Sequence, residues 1–411
     1  MSRPSGRWGA LAAISLAQVG AMSTWFSAAA VAPSLVREWH LSSAALALLT
    51  VAVQLGFVTG GLVLAVAGVA DLFPARRVFV VSALAAAVAN LLLIAVDGNM
   101  VRAVAVRFAL GASLAGVYPV GMKMMTEWFR VDRGLAIGTV VGALTVGAAL
   151  PHLLAGIGLA GALPWQRVIV GTSLAALTSA ATVTLLVRRG PFASTAQRLD
   201  LGWALRSLRR PGLRLANLGY FGHMWELYAM WTWMPVFLLA SLRAWEPGLP
   251  DAVAGRWASL TAALAIGAGA IGCVAGGAVA DRAGRTTTTA ASMALSGAAA
   301  IASGLLLGHA PLAVIAVVTV WGISVIADSA QFSASVSELA DPDRVGSALA
   351  LQTALGFLLT AISIQVLPLV VTRWGWREAF VLLAAGPVAG TVAMLRLRAH
   401  PEAVRLAGGR R

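Results

Sequence analysis

The stretch Gly277-Ala-Val-Ala-Asp281-Arg282-Ala-Gly284-Arg285 is a short basic loop set between two long apolar segments. An imperfect copy, Gly68-Val-Ala-Asp71-Leu-Phe-Pro-Ala-Arg76-Arg77, lies about half a chain earlier. Asp71 and Asp281 stand 210 positions apart, and neighbouring landmarks repeat in nearly the same register. Glu127 and Arg133 recur 211 positions on as Glu338 and Arg344, and Trp165 recurs as Trp376. A shared register of this kind marks a duplicated unit.

The composition assigns that unit to a membrane. Of 411 residues, 59% are hydrophobic and 11% charged, with a mean hydropathy of +0.84. A soluble domain carries about 25% charged residues. A spanning helix needs ~20 apolar residues to cross a hydrocarbon core of ~30 Å, and lipid admits only helices or closed barrels. The apolar runs here are long and rich in Ala and Leu, without a two-residue alternation, which favours helices. Twelve spans are predicted, near 8–33, 44–68, 77–97, 100–127, 133–158, 163–187, 214–241, 257–280, 287–308, 311–337, 345–371 and 377–396. The first is too long for the apolar core of a signal peptide and is read as a retained helix. Six passes return the chain to its starting side, so the two copies run parallel.

The formal charge of +14 follows topology and not nucleic acid. Arg37, Arg102, Arg167, Arg243, Arg256, Arg373 and Arg377 fall on one side, Arg107 lies within a span, and the other 22 of the 30 Lys and Arg share the opposite side. The positive-inside rule makes that basic side cytoplasmic and places both termini there. The densest cluster lies between spans six and seven and would attract anionic lipid headgroups. The single Cys273 excludes an intramolecular disulfide and a cysteine metal cluster.

The Gly277–Arg285 string closely resembles the loop signature of the major facilitator superfamily, and the resemblance extends over nearly the whole chain. It implies an all-α membrane fold of twelve transmembrane helices in two pseudo-symmetric six-helix bundles. These would be residues 1–187 and 214–411, joined by a basic linker at 188–213. It also implies alternating access about a midplane site. Asp71 and Asp281 sit where a helix reaches the basic side, and such an aspartate can bond the positive N-terminus of a neighbouring helix. In the superfamily that neighbour opens span eleven for Asp71 and span five for Asp281. The resemblance adds Arg76, Arg77, Arg282, Gly284 and Arg285 to this gate. The acidic-then-basic elements Glu127 with Arg133 and Glu338 with Arg344 complete it. Ordinary interfacial charge is the alternative. The first copy departs from the pattern, with Ala67 at the usual glycine, Leu72 at the basic position, and Phe73-Pro74-Ala75 for the turn.

Of sixteen acidic residues, only Glu226 and Asp328 lie well inside predicted spans. A carboxylate at bilayer depth costs ~2.5–3.5 kcal/mol on insertion scales, so it is expected to face a cavity and to act there. Both are candidates for binding and releasing a proton. His223 stands three residues before Glu226, on the same helical face. Trp225, Tyr228, Trp231 and Trp233 crowd that helix as a possible cavity wall, with packing as the alternative. Asp328 has Gln331 three residues on. Gln18 and Gln54 lie near the middles of spans one and two, where cavity lining and interhelical bonding are both open. The segment Arg107-Phe-Ala-Leu-Gly111 resembles the superfamily's fourth-helix motif. There the arginine points into the central cavity and serves proton coupling or substrate charge. Span five matches the antiporter motif only in part, with Leu150-Pro151 where Gly-Pro is expected.

No Gly-x-x-x-x-Gly-Lys-Ser/Thr loop and no His-Glu-x-x-His is present, so neither ATP-driven transport nor an enzyme is indicated. The expectation is a monomeric secondary transporter of the plasma membrane without cofactor or metal. Its partners would be a small-molecule substrate, a proton and membrane lipid. A small organic anion is the preferred substrate, because Arg107 supplies fixed positive charge. The alternative is a drug/proton antiporter exporting lipophilic or cationic compounds.

Overall fold

The computed structural model describes residues 6–129, 132–160, 164–192 and 200–410. The first half contains α1 (Arg7–Met22), α2 (Ser27–Ala30), α3 (Ala32–Trp39), α4 (Ser43–Val66), α5 (Val69–Leu72) and α6 (Ala75–Leu92). It continues through α7 (Met100–Leu114), α8 (Tyr118–Thr126), α9 (Arg133–Ala160) and α10 (Gln166–Leu186). A short α11 (Leu201–Ser207) precedes the second half. That half comprises α12 (Pro211–Trp245), α13 (Asp251–Ala283), α14 (Arg285–Leu305), α15 (Pro311–Ala327), α16 (Ser329–Leu339), α17 (Val345–Trp374) and α18 (Trp376–Ala399). Among the described residues there is no strand.

Ten of these helices or helix pairs are long and apolar enough to cross a membrane. The other two expected passes differ for separate reasons. The first, α1 to α3, is broken at Ser23–Phe26. There the hydroxyls of Ser23, Thr24 and Ser27 bond back to the carbonyls of Gly20, Ala21 and Thr24, a competition that opens helices. The seventh pass, α12, is a continuous rod, but Asn217, His223 and Glu226 lower its hydropathy. The fourth and tenth passes are also broken, as α7/α8 and α15/α16. In the fourth, Pro119 at the second position of α8 lacks an amide donor and crowds the carbonyl one turn back. The tenth breaks at Asp328, 211 positions after Val117 in the first break.

Within the first half α4 packs on α7, and within the second α14 packs on α18. The halves meet along α9 with α13 and α4 with α17. Small residues permit this approach: a Cβ on Gly111 would overlap the Val53 carbonyl, and one on Gly156 would strike Leu260. Large apolar side chains such as Leu185, Ile271 and Leu312 stay exposed on the outside, as lipid-facing surfaces require. A terminal 3-10 segment, Pro401–Gly409, docks on the basic face: Glu402 accepts from the Gly212 amide at 2.8 Å, and Glu338 from the Ala407 amide at 2.9 Å.

Candidate functional site

Two polar clusters lie inside the bundle, one in each half, with aromatic rings between them. In the first half, Arg107 of α7 is fully buried. Its guanidinium donates to the carbonyl of Thr24 at 3.3 Å, to Ser27 Oγ at 3.1 Å, to Asn90 Oδ1 at 3.4 Å, and to the carbonyl of Trp25. The Thr24 carbonyl also accepts from the Ser27 amide and hydroxyl, and at the break the arginine adds a donor to it and to the Trp25 carbonyl. Asn90 extends the network, donating to Thr172 Oγ1 at 3.0 Å and Ser173 Oγ at 2.9 Å. Among the described residues no carboxylate pairs with Arg107. The amino groups turn to the broken first pass, and Nε finds no partner among the described residues.

In the second half, Glu226 is buried in α12 and bonded by neutral donors on two other helices. Ser296 of α14 donates to Oε2 and Trp321 of α15 to Oε1, both at 2.8 Å. His223 does not reach Glu226. Its Nδ1 lies 2.8 Å from Asp328 Oδ1 at the α15/α16 break, with both side chains buried. His223 Nε2 finds no partner among the described residues. Gln331 turns away from this cluster and accepts from Arg285 at 2.7 Å.

Between the clusters, six buried rings meet from both halves: Trp25, Phe26, Phe57, Tyr228, Trp231 and Phe357. Trp25 lies 5.0 Å from Phe57, 5.9 Å from Tyr228 and 5.6 Å from Phe357 between centroids. Phe26 lies 5.6 Å from Trp231. The expected wall residues Trp225 and Trp233 lie elsewhere in function, donating to the carbonyls of Leu382 and Ile364. Gln18 is buried against Gly121 and Gln54 sits one turn from Phe57. Neither amide finds a partner among the described residues.

On the basic face, Arg285 gathers Gln331, Glu338 at 3.2 Å and Asp281 at 3.4 Å. Asp281 Oδ2 lies against Gly134, the second residue of α9, where a Cβ would sit 3.4 Å away. This is the helix opening that the superfamily pattern names. Gly284 takes φ 91°, a joint between α13 and α14 that glycine tolerates. The acidic-then-basic elements do not close on themselves in the second half: Glu338 pairs with Arg285, and Arg344 pairs with Asp200 at 2.5 Å. Glu127 accepts from the Gly190 amide at 3.3 Å. Arg76 donates to the Thr184 carbonyl, while Arg77 and Arg282 are exposed. The side chains of Asp71 and Arg133 lie outside the described residues.

Asp200 is the N-cap of α11, and its carboxyl is held below the ordinary carboxylate range. The Trp203 amide bonded to it is the largest cause, followed after a smaller opposing desolvation by the Arg344 charge. Sequence reading missed Asn90, Ser27, Ser296 and Trp321. Asn90 could have been found by extending the search for buried charges to amides; the other three are ordinary residues in apolar helices.

The sequence model of the Major Facilitator Superfamily matches residues 14–364. The chain belongs to the major facilitator superfamily. It is 28% identical over 209 residues to the MFS-type transporter hasB of Aspergillus fumigatus, a match covering 47% of this chain and 43% of that one. The match therefore spans less than half the length of that curated relative. The fold is similar to the crystal structure of a mutant of the nucleoside transporter NupG, with a TM-score of 0.72 and 12% identity. That similarity covers 95% of this chain and 99% of the other. A superfamily member with this architecture is a multi-pass membrane transporter.

Proposed function

We propose that the protein is a proton-coupled secondary transporter that moves a small polar solute by alternating access. The moving bodies would be residues 1–187 and 214–411, with 188–213 as the linker and both termini cytoplasmic in a plasma membrane. One observation carries the coupling assignment. Glu226 is buried and held only by the neutral donors Ser296 and Trp321, so its charge can be removed without breaking an ion pair. The His223–Asp328 contact at the α15/α16 break gives a second protonatable pair on an adjacent pass. Protonation at either would change how α12 is held to α14, α15 and α16 within the second body and so bias the balance between the two access states.

The choice of solute rests on the same geometry. The Arg107 amino groups are held by the carbonyls of Thr24 and Trp25, which leaves only Nε for an anion without displacing them, so the organic-anion expectation gains little support from this arrangement. The ring cluster between the halves favours a solute with an apolar face, in line with the alternative of lipophilic-compound export.

The test begins with a thermal-shift ligand screen on purified protein at two pH values. With a solute found this way, Glu226→Gln should abolish gradient-driven accumulation in proteoliposomes and retain part of the counterflow exchange, which need not move net protons. Full accumulation by the variant would remove Glu226 from the coupling role and pass it to Asp328. Cysteines placed at Gly248 and Ala283 should label from opposite sides with an impermeant thiol reagent. Labelling of both from outside would refute the topology.

A further inference from the structure

We propose that the ring cluster between the halves is the recognition site for an uncharged, planar, acceptor-bearing heteroaromatic solute. The proposal rests on the transporter reading above and narrows its substrate class. Buried indole N–H groups nearly always find an acceptor. Here two of them, Trp25 Nε1 and Trp231 Nε1, are buried in one cluster without any partner among the described residues. Two other indoles on α12, those of Trp225 and Trp233, are satisfied by carbonyls, as is Trp321 by Glu226. Among the described indoles, the two that are buried without a partner are those at the interface of the halves. Gln54, on the Phe57 face of α4, adds an amide with neither atom bonded.

The geometry defines what would satisfy these groups. Trp25 comes from the first half and Trp231 from the second, so one solute accepting from both would bridge the two bodies. Tyr228 links the two, at 5.9 Å from Trp25 and 5.5 Å from Trp231. A flat ring entering between them would replace ring–ring contacts by stacking of the same kind, worth ~0.5–1.5 kcal/mol for each pair. The buried charges beside the cluster are largely engaged. The Arg107 amino groups are turned to the carbonyls of Thr24 and Trp25, leaving Nε as its one unpartnered donor, and both Glu226 oxygens are bonded to Ser296 and Trp321. An ionised solute would be desolvated there without a counter-charge. An uncharged one offering in-plane carbonyl or ring-nitrogen acceptors meets the unpaired donors directly.

The test uses purified full-length protein in detergent and probes that separate shape from charge. Caffeine and nicotinamide are planar, uncharged and acceptor-bearing. Nicotinate and 1-methylnicotinamide carry opposite charges on the nicotinamide ring, and sorbitol is uncharged but not planar. Equilibrium dialysis should give the uncharged planar probes at least about tenfold tighter binding than the other three. Trp25→Phe and Trp231→Phe keep a ring and delete one N–H. Each should weaken caffeine binding about 3- to 10-fold, the worth of one hydrogen bond, without lowering the unfolding temperature of the ligand-free protein. Tighter binding of nicotinate, unchanged caffeine binding in both variants, or no binding of either uncharged planar probe would overturn the proposal. In each of those cases a different solute that shows pH-driven accumulation would leave the transporter reading standing. Gradient-driven flux absent for every solute would sink that reading instead.

Discussion

The two halves each bury a charge at a comparable place and treat it in opposite ways. In the first half, Arg107 spends its donors on the main chain of a broken helix and on the neutral groups Ser27 and Asn90. In the second half, Glu226 is held by side chains alone, from α14 and α15, and Asp328 by His223. A guanidinium does not readily lose its proton, and its acceptors here cannot turn away without the backbone moving. A carboxylate can gain a proton, and the serine and indole that bond it are side chains that can turn without the backbone moving. The duplication has thus yielded one half with a fixed pin and one half with a changeable group.

That contrast breaks first at Arg107. Arg107→Ala leaves the Trp25 carbonyl unmet and takes a charged donor from Thr24, Ser27 and Asn90, which keep their other bonds, and an unmet buried group costs roughly 1–3 kcal/mol. The expected loss is on the order of 3 kcal/mol, read as a clear drop in unfolding temperature in detergent. Arg107→Lys keeps the charge but not the fork and should lose about half as much. A stable alanine variant that merely fails to bind solute would show that the arginine is not a pin.

The second-half counterpart is predicted to be milder and to depend on what replaces the acid. Glu226→Ala leaves the Ser296 hydroxyl and the Trp321 indole without their acceptor, for about 2 kcal/mol. Glu226→Gln keeps a carbonyl oxygen for one of them and should stay within about 1 kcal/mol of the parent. Equal destabilisation by Ala and Gln would mean that the charge itself holds the helices, and the contrast with Arg107 would collapse.

Much of this was legible in the chain, and the limits have physical causes. Depth was legible: a carboxylate well inside an apolar run has nowhere else to be, and Glu226 and Asp328 are buried to 1% exposure. The resemblance of the 277–285 loop placed Gly284 and Arg285 at the helix joint. Direction was not legible. The Arg107 motif gave a helix and a position, but its partners were set by a break in another helix about eighty residues away. The hydroxyl run Ser23-Thr24 with Ser27 signals that break, yet a hydropathy reading passes over small hydroxyl residues. His223 shares a helical face with Glu226, and spacing alone could not say that Asp328 on another pass would lie closer. Partners such as Ser296 and Trp321 are fixed only by how α12, α14 and α15 pack.

A smaller effect is expected at the basic face, where the second half touches the first. Asp281 lies at the opening of α9, and a charge at a helix N-terminus is worth ~0.3–1 kcal/mol. Asp281→Asn should therefore shift the population of the closed basic face about two- to fivefold toward inward-open forms. Spin-label distances across that face report it. An unchanged distribution would show that Arg285, with its bonds to Gln331 and Glu338, holds the joint without the aspartate.

The smallest expected effect lies in the linker, at Asp200. Its carboxylate caps α11 through the Trp203 amide and pairs with Arg344, while its own amide donates to Ser347 at 2.9 Å. The folded carboxyl titrates below its ordinary value. The cap is therefore fully present above the ordinary carboxylate range, near pH ~4, and is lost as pH falls through the folded value. A spin label at Leu205 should show constant mobility from neutral pH down to that range and greater mobility below it. Asp200→Asn keeps an acceptor for the Trp203 amide but has no proton to gain, so its mobility should be flat across the same acid range. Asp200→Ala should be mobile throughout. An acid transition that persists in the asparagine variant would assign the event to another carboxylate of the basic face, with Asp341, between α16 and α17, which pairs with the linker's Arg210 at 2.9 Å, as the first alternative.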